Sequence, residues 1–88
     1  MTPAEALTLA STAARLGRLR YTKHARERME DRGATRDDVV SACVTATAAT
    51  HQRDDVWRLS GGVDAMGDVL VVIAGVDPDE VSVITVTG

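Results

Sequence analysis

The hydrophobic period changes midway along this chain of 88 residues. Apolar side chains recur every three to four residues in the first half, as in amphipathic helices, and at many alternate positions in the second half, as in strands. The unbroken apolar run 69–76 is typical of a central strand that is covered on both faces. The pattern predicts a single α+β domain over 1–88, with N-terminal helices packed on a three- to four-stranded antiparallel sheet.

Capping and terminating residues place the predicted elements along the chain. Thr2 and Glu5 form a capping-box pattern that opens a helix over 1–17. Two further helices are predicted within 22–48, and the sheet is predicted over 50–88. The intervening residues 18–21 are expected to be extended or irregular.

Two details depend on local pattern. The third helix is rich in Val and Thr, so the segment 45–52 is compatible with a strand as well as with the end of that helix. The residues predicted to form its buried face are Val39, Val40, Cys43, Val44 and Ala48. In the final strand, 81–87, regular alternation places Thr85 on the same face as Val83.

Charge is distributed unevenly along the chain, although the formal net charge is only -3. The segment 15–36 has eight basic and three acidic residues, whereas residues 37–88 have two basic and nine acidic ones. A basic segment of this kind is suited to bind a phosphate or an acidic partner. The alternative interpretation is a helix face that is simply solvated.

Several classes of protein are not indicated by the sequence. The longest apolar run is far shorter than the roughly 20 residues that cross a bilayer, so no membrane contact is expected. The N-terminus has no basic segment typical of secretion, and the single cysteine, Cys43, predicts a reducing, cytoplasmic environment without disulfides. One cysteine and two distant histidines provide no metal-ligand spacing, and no nucleotide fingerprint is present, so neither a metal nor a cofactor is expected.

The segment from Thr22 to Gly33 combines residues that could act on a phosphodiester. On a helix, His24 and Arg28 are one turn apart and Arg32 is one turn further. Imidazole transfers protons near neutral pH, and guanidinium holds phosphate oxygens in a bidentate manner. The alternative is a structural role, in which His24 and Arg28 bind backbone carbonyls and a carboxylate.

This segment, with the Thr-Arg-Asp-Asp-Val that follows it, resembles a family of small uncharacterised bacterial domains. Those domains are related by fold to the RelE-like and MqsR-like toxins of the barnase–EndoU–colicin–RelE group of ribonucleases. The resemblance extends over about residues 19–87. It implies a RelE-like fold and a metal-independent endoribonuclease toxin that is held inactive by a cognate antitoxin.

The resemblance also implies roles for individual residues. His24 matches the helical histidine of the family and would transfer protons, and Arg28 would bind the scissile phosphate. Thr85 matches a strand hydroxyl that faces the same cleft, although a strand Thr is also explained by β-propensity. Further contacts with RNA or phosphate are expected from Lys23, Arg32 and Arg58, and Arg32 is also suited to anchor the helix.

Two non-catalytic alternatives remain open at this stage. A protein-binding module on the same scaffold would use its acidic half to bind a basic partner, or would pair its final strand edge-to-edge with a partner or a second copy. A nuclease inhibitor would use the acidic surface to imitate nucleic acid.

Overall fold

The computed structural model describes residues 1–88 and contains three helices and five strands. In chain order these are α1 (Pro3–Arg15), β1 (Leu19–Tyr21), α2 (Lys23–Arg32), α3 (Arg36–Thr45), β2 (Ala48–Arg53), β3 (Val56–Ser60), β4 (Val71–Val76) and β5 (Val81–Thr87). The predicted α+β class is confirmed. No helix is both long enough and apolar enough to cross a membrane.

The helices begin where the capping residues predict. The Thr2 hydroxyl accepts the Glu5 N–H at 3.1 Å, and the Glu5 carboxylate accepts the Thr2 N–H at 2.9 Å. Thr35 and Asp38 form the same reciprocal pair at the start of α3. Each box satisfies backbone N–H groups that have no partner within the helix.

The sheet differs from the prediction in size and in direction. Its strand order is β1-β5-β4-β3-β2, and β1 runs parallel to β5 while the other neighbours are antiparallel. The expectation of three or four antiparallel strands is therefore wrong. A strand of three residues shows no periodicity, and β1 pairs with a segment about 60 residues further along the chain.

The third helix is shorter than the predicted limit at residue 48. It ends at Thr45, and β2 begins at Ala48, which is exposed rather than part of the helix core. The β-branched residues before this point disfavour continuation of the helix, and pairing with β3 selects the strand. The apolar run forms the central strand β4 as predicted, but helices cover only one face of this strand, so the predicted cover on both faces is wrong. Val69 at the start of the run is 64% exposed.

A β-bulge in β5 reverses the predicted facing of its last residues. Ala74 is in register with Val83, but its neighbour Ile73 is in register with Thr85, so Ile84 is an extra residue. Val83 and Thr85 consequently lie on opposite faces of the sheet. The predicted placement of these two residues on one face is wrong.

The three helices cover one face of the sheet, which we call the covered face. Its core consists of small helix residues, such as Ala6, Ala10 and Ala25, packed on larger strand residues, such as Leu59 and Val72. No buried residue of a helix packs against the other face of the sheet, which we call the open face. A row of residues in register runs across it from β2 to β5: Thr50, Arg58, Ile73 and Thr85.

Candidate nucleic-acid interface

Helix α2 is held along the second half of β5. At its start, the Thr22 N–H donates to the Val83 carbonyl at 3.0 Å, and the Thr22 hydroxyl donates to the Ile84 carbonyl at 3.3 Å. At its end, the Arg32 guanidinium lies so close to Gly88 that a Cβ at that position would collide with it. The helix therefore continues the edge of the sheet beyond the last residue of β1.

The apolar spacing in α2 decides which of its side chains are available. Ala25 and Met29 are buried one turn apart and form the inner face of the helix. Arg28 is half-buried beside this face, and His24 lies further around and is exposed. Both belong to one flank of α2.

The two flanks of α2 face different sides of the molecule. On the flank opposite His24, Arg26 donates to the Tyr21 carbonyl at 3.5 Å, and Arg26 lines a cavity together with Arg36 of α3. The flank with His24 and Arg28 accordingly faces away from this cavity. The bond from Thr22 to Ile84 places the first turn of α2 beside the residue that precedes Thr85.

His24 and Arg28 make no hydrogen bond to a backbone carbonyl and no ion pair with a carboxylate. The side-chain bonds of this region involve Thr22 and Arg26, and its ion pair joins Lys23 to Glu27 at 3.9 Å. The structural interpretation considered for His24 and Arg28 requires such bonds, and they are absent. The imidazole and the guanidinium are therefore available to a ligand.

No hydrogen bond joins His24, Arg28 and Thr85 to one another. The five principal cavities are lined by other residues, so the three side chains belong to a shallow surface rather than to a deep cleft. Such a surface suits an extended chain better than a small molecule.

The other three predicted phosphate contacts are dispersed. The Lys23 ammonium pairs with Glu27, and Arg32 lies at the far end of α2 against Gly88. Arg58 is exposed on the open face and is separated from Thr85 by one strand, which corresponds to about 10 Å between their backbones. Arg58 and Thr85 thus share a row, whereas Lys23 and Arg32 are peripheral to it.

Carboxylates lie at one end of the open face. The Asp55 carboxylate covers Gly75, at 3.7 Å from the position that a Cβ would occupy there. In the same row of the sheet, Arg20 is neutralised by Glu80 at 3.1 Å. The row with Arg58 and Thr85 contains no acidic residue, so the middle of this face is the part that suits an anion.

Sequence reasoning did not identify a cluster formed by Tyr21, Arg26 and Arg36. The Arg36 guanidinium lies 4.9 Å from the centre of the Tyr21 ring, in a cation–π arrangement. The three residues come from β1, α2 and α3, so no spacing along the chain reveals them. The only signal in the sequence is the local excess of basic residues.

Cys43 is excluded as a nucleophile. It is buried in α3 as predicted, and burial raises the pKa of its thiol to about 12, so it stays protonated at neutral pH. No group of three or more His, Cys, Asp or Glu side chains converges as a metal site would require.

A family model described as "Domain of unknown function (DUF4258)" matches residues 21–87. The chain belongs to this family. The matched segment contains α2, α3 and the strands β2 to β5, and hence His24, Arg28, Arg58 and Thr85, whereas α1 lies outside it. No curated protein and no solved structure matches the chain.

Proposed function

We propose that this DUF4258 domain is a cytoplasmic, metal-independent endoribonuclease that acts as the toxin of a toxin–antitoxin pair. The observation that carries the proposal is the pair His24 and Arg28, one turn apart on α2 and free of structural bonds. The α2 segment resembles a family of small bacterial domains related by fold to RelE-like and MqsR-like toxins, and this relationship suggests the reaction class. The acid-free row of the open face supports an anionic substrate.

The proposed reaction is an internal transesterification. His24 accepts the proton of a ribose 2′-OH while the bond from this oxygen to the adjacent phosphorus forms. The bond from phosphorus to the 5′ oxygen breaks, and the proton passes from the imidazole to that leaving oxygen. The products are a 2′,3′-cyclic phosphate and a 5′-hydroxyl end, and neither water nor a metal ion is consumed.

Arg28 and Thr85 act on the phosphate in this proposal. The guanidinium of Arg28 neutralises the charge that develops on the phosphorane-like transition state. The hydroxyl of Thr85 donates to a non-bridging oxygen and orients it. Arg58, in the same row as Thr85, holds a neighbouring phosphate of the RNA chain.

Cleavage of a labelled oligoribonucleotide by the purified full chain tests the mechanism. We expect His24→Ala and Arg28→Ala each to lower the rate by about a hundredfold or more, because each removes a transition-state interaction. Arg53→Ala, which removes an exposed arginine in β2, serves as the charge-matched control and should retain activity. Cleavage that survives both of the first two substitutions would exclude this mechanism.

The substrate chemistry offers a second criterion. A 2′-deoxy residue at the cleaved position removes the attacking hydroxyl, so it should abolish cleavage there while leaving other positions sensitive. The product should resist phosphatase until acid opens the cyclic phosphate. Growth arrest on expression, relieved by a co-expressed antitoxin, would test the biological part of the proposal.

A protein-binding module remains the second candidate function, supported by the outer edge of β2. This strand of six residues is the last in the sheet order and has an unpaired edge. The final strand, which the sequence suggested for edge pairing, lies between β1 and β4 and is not an edge strand. This candidate would be favoured if the protein does not cleave RNA and forms a stable dimer. The substitution Thr50→Pro in this edge strand should then disrupt the dimer.

A further inference from the structure

The Tyr21–Arg26–Arg36 cluster surrounds a separate cavity on the side of α2 that faces α3. The cavity has a volume of about 310 Å³ and is lined by Leu19, Arg20, Tyr21, Arg26 and Arg36. Arg26 projects roughly 200° around the helix from His24, so this cavity lies apart from the proposed RNA-cleaving surface.

The protein itself holds two guanidiniums near this cavity. The Arg36 group lies on the ring of Tyr21, and the Arg26 group donates to the carbonyl of the same residue. Both arginines contact the same residue of β1 and line the same cavity, Arg26 from α2 and Arg36 from the first position of α3. A ligand that binds both would need to reorganise them little, and such preorganisation favours affinity.

The protein does not neutralise these two charges. Neither Arg26 nor Arg36 has a carboxylate within ion-pair distance, while the nearby Arg20 is paired with Glu80. No acidic side chain lines the cavity. Burial is the main cause that raises the pKa of the Tyr21 hydroxyl, while Arg36 opposes this rise and Asp37 adds to it.

We propose that this cavity binds a phosphate group, carried by a nucleotide or by an RNA chain. A phosphate has close to two negative charges as a monoester, and its oxygens can accept hydrogen bonds from two guanidiniums at once. Two guanidiniums that line one shallow site can bind the oxygens of a single tetrahedral anion, whereas the carboxylates of a protein segment are spread along an extended chain. The proposal does not depend on the RNA-cleaving reaction.

The test is an NMR titration of the full chain with inorganic phosphate at constant ionic strength. We expect saturable shifts of the amides of Tyr21, Arg26 and Arg36. Arg26→Gln should weaken binding about tenfold, because one charge-assisted contact is lost. Arg53→Gln removes the same charge at a remote, exposed position and should leave the affinity within about twofold.

Two further variants distinguish a loss of phosphate binding from misfolding of the chain and from a loss of RNA cleavage. Arg36→Lys retains the charge but loses the planar donor pair, so it should bind phosphate less tightly while its spectrum shows the native fold. His24→Ala should bind phosphate as the unaltered chain does, since His24 is outside the cavity. Absence of RNA cleavage by the unaltered chain, with intact phosphate binding, would therefore overturn the catalytic proposal alone.

The source of the phosphate is decided by competition. Displacement of inorganic phosphate by a 2′-O-methyl oligoribonucleotide, which resists cleavage, would assign the cavity to RNA. Displacement by adenosine monophosphate alone would assign it to a free nucleotide. Shifts that do not saturate, an equal loss in Arg53→Gln, or binding of an acidic peptide without binding of phosphate would overturn the proposal.

Discussion

The hydroxyl of Thr22 donates a hydrogen bond to the carbonyl of Ile84 across 62 positions of the sequence. The same hydroxyl oxygen accepts the Ala25 N–H at 3.1 Å and so caps α2. One side chain thus begins the helix that carries His24 and attaches it to the bulge that orients Thr85. The two halves of the proposed site are connected through this residue.

Replacing Thr22 by Val should therefore weaken both the helix start and its attachment. We expect a loss of about 1–2 kcal/mol in the free energy of unfolding, because the cap and a half-buried hydrogen bond disappear together. Urea denaturation measures the change. Thr8→Val, on the exposed side of α1, is the control and should lose clearly less. Equal losses in the two variants would show that the Thr22 contacts are not stabilising.

Thr85→Val removes the hydroxyl of this residue and keeps its contribution to the sheet, so it tests the hydroxyl alone. Valine has nearly the same shape and a high β-propensity, so we expect an unchanged midpoint of denaturation. RNA cleavage should fall about tenfold, since one hydrogen bond to the phosphate is lost. Thr87→Val makes the same exchange two residues along β5 and should leave the rate unchanged. A full rate in Thr85→Val would remove this residue from the proposed mechanism.

The capping box of α3 should make stability depend on acidic pH. The backbone N–H of Thr35, with a further contribution from the Ala65 N–H, lowers the pKa of Asp38 below its usual value of 3.8. Because the folded pKa is the lower one, the stabilisation is present above the unfolded pKa and is lost as pH falls through the folded pKa. Asp38→Asn should therefore lose less stability than the unaltered chain between pH 5 and pH 3, with the window set by the usual carboxyl pKa of about 4. Parallel stability curves would contradict this assignment.

Cys43 should resist alkylation in the folded protein. Burial raises its pKa to about 12 and leaves 1% of its surface exposed, so both the thiolate and access are lacking. Iodoacetamide at pH 8 should modify the chain slowly, and urea should accelerate the reaction to the rate of a free thiol. Rapid modification without denaturant, detected by mass spectrometry, would show that α3 opens readily.

The helix starts and the α+β class were accessible from local pattern. Thr2 with Glu5 and Thr35 with Asp38 act within three residues, and Gly33 ends α2 in the left-handed conformation at φ 67°. These features depend on neighbouring residues alone, so they can be recognised in any sequence. The same holds for the spacing of His24 and Arg28, which places them on one flank of α2.

The strands were predicted less well because pairing decides them. Leu19 to Tyr21 becomes a strand only by lying beside β5, and Ala48 leaves the third helix only because β3 accepts it. The extra residue Ile84 is visible only as a shift between two registers. No local pattern carries this information, because it belongs to pairs of distant segments.

The primary structure by itself determined where the helices of this protein begin, that the second half supplies most of the sheet, and which side chains could carry proton transfer and phosphate binding. Tertiary structure alone decided that Thr85 and Val83 lie on opposite faces of the sheet, and that Tyr21, Arg26 and Arg36 line one cavity. The physical reason is the separation along the chain over which each kind of interaction acts. Capping and amphipathic spacing act over three or four residues, whereas strand register and the convergence of separate elements arise only when the core is packed.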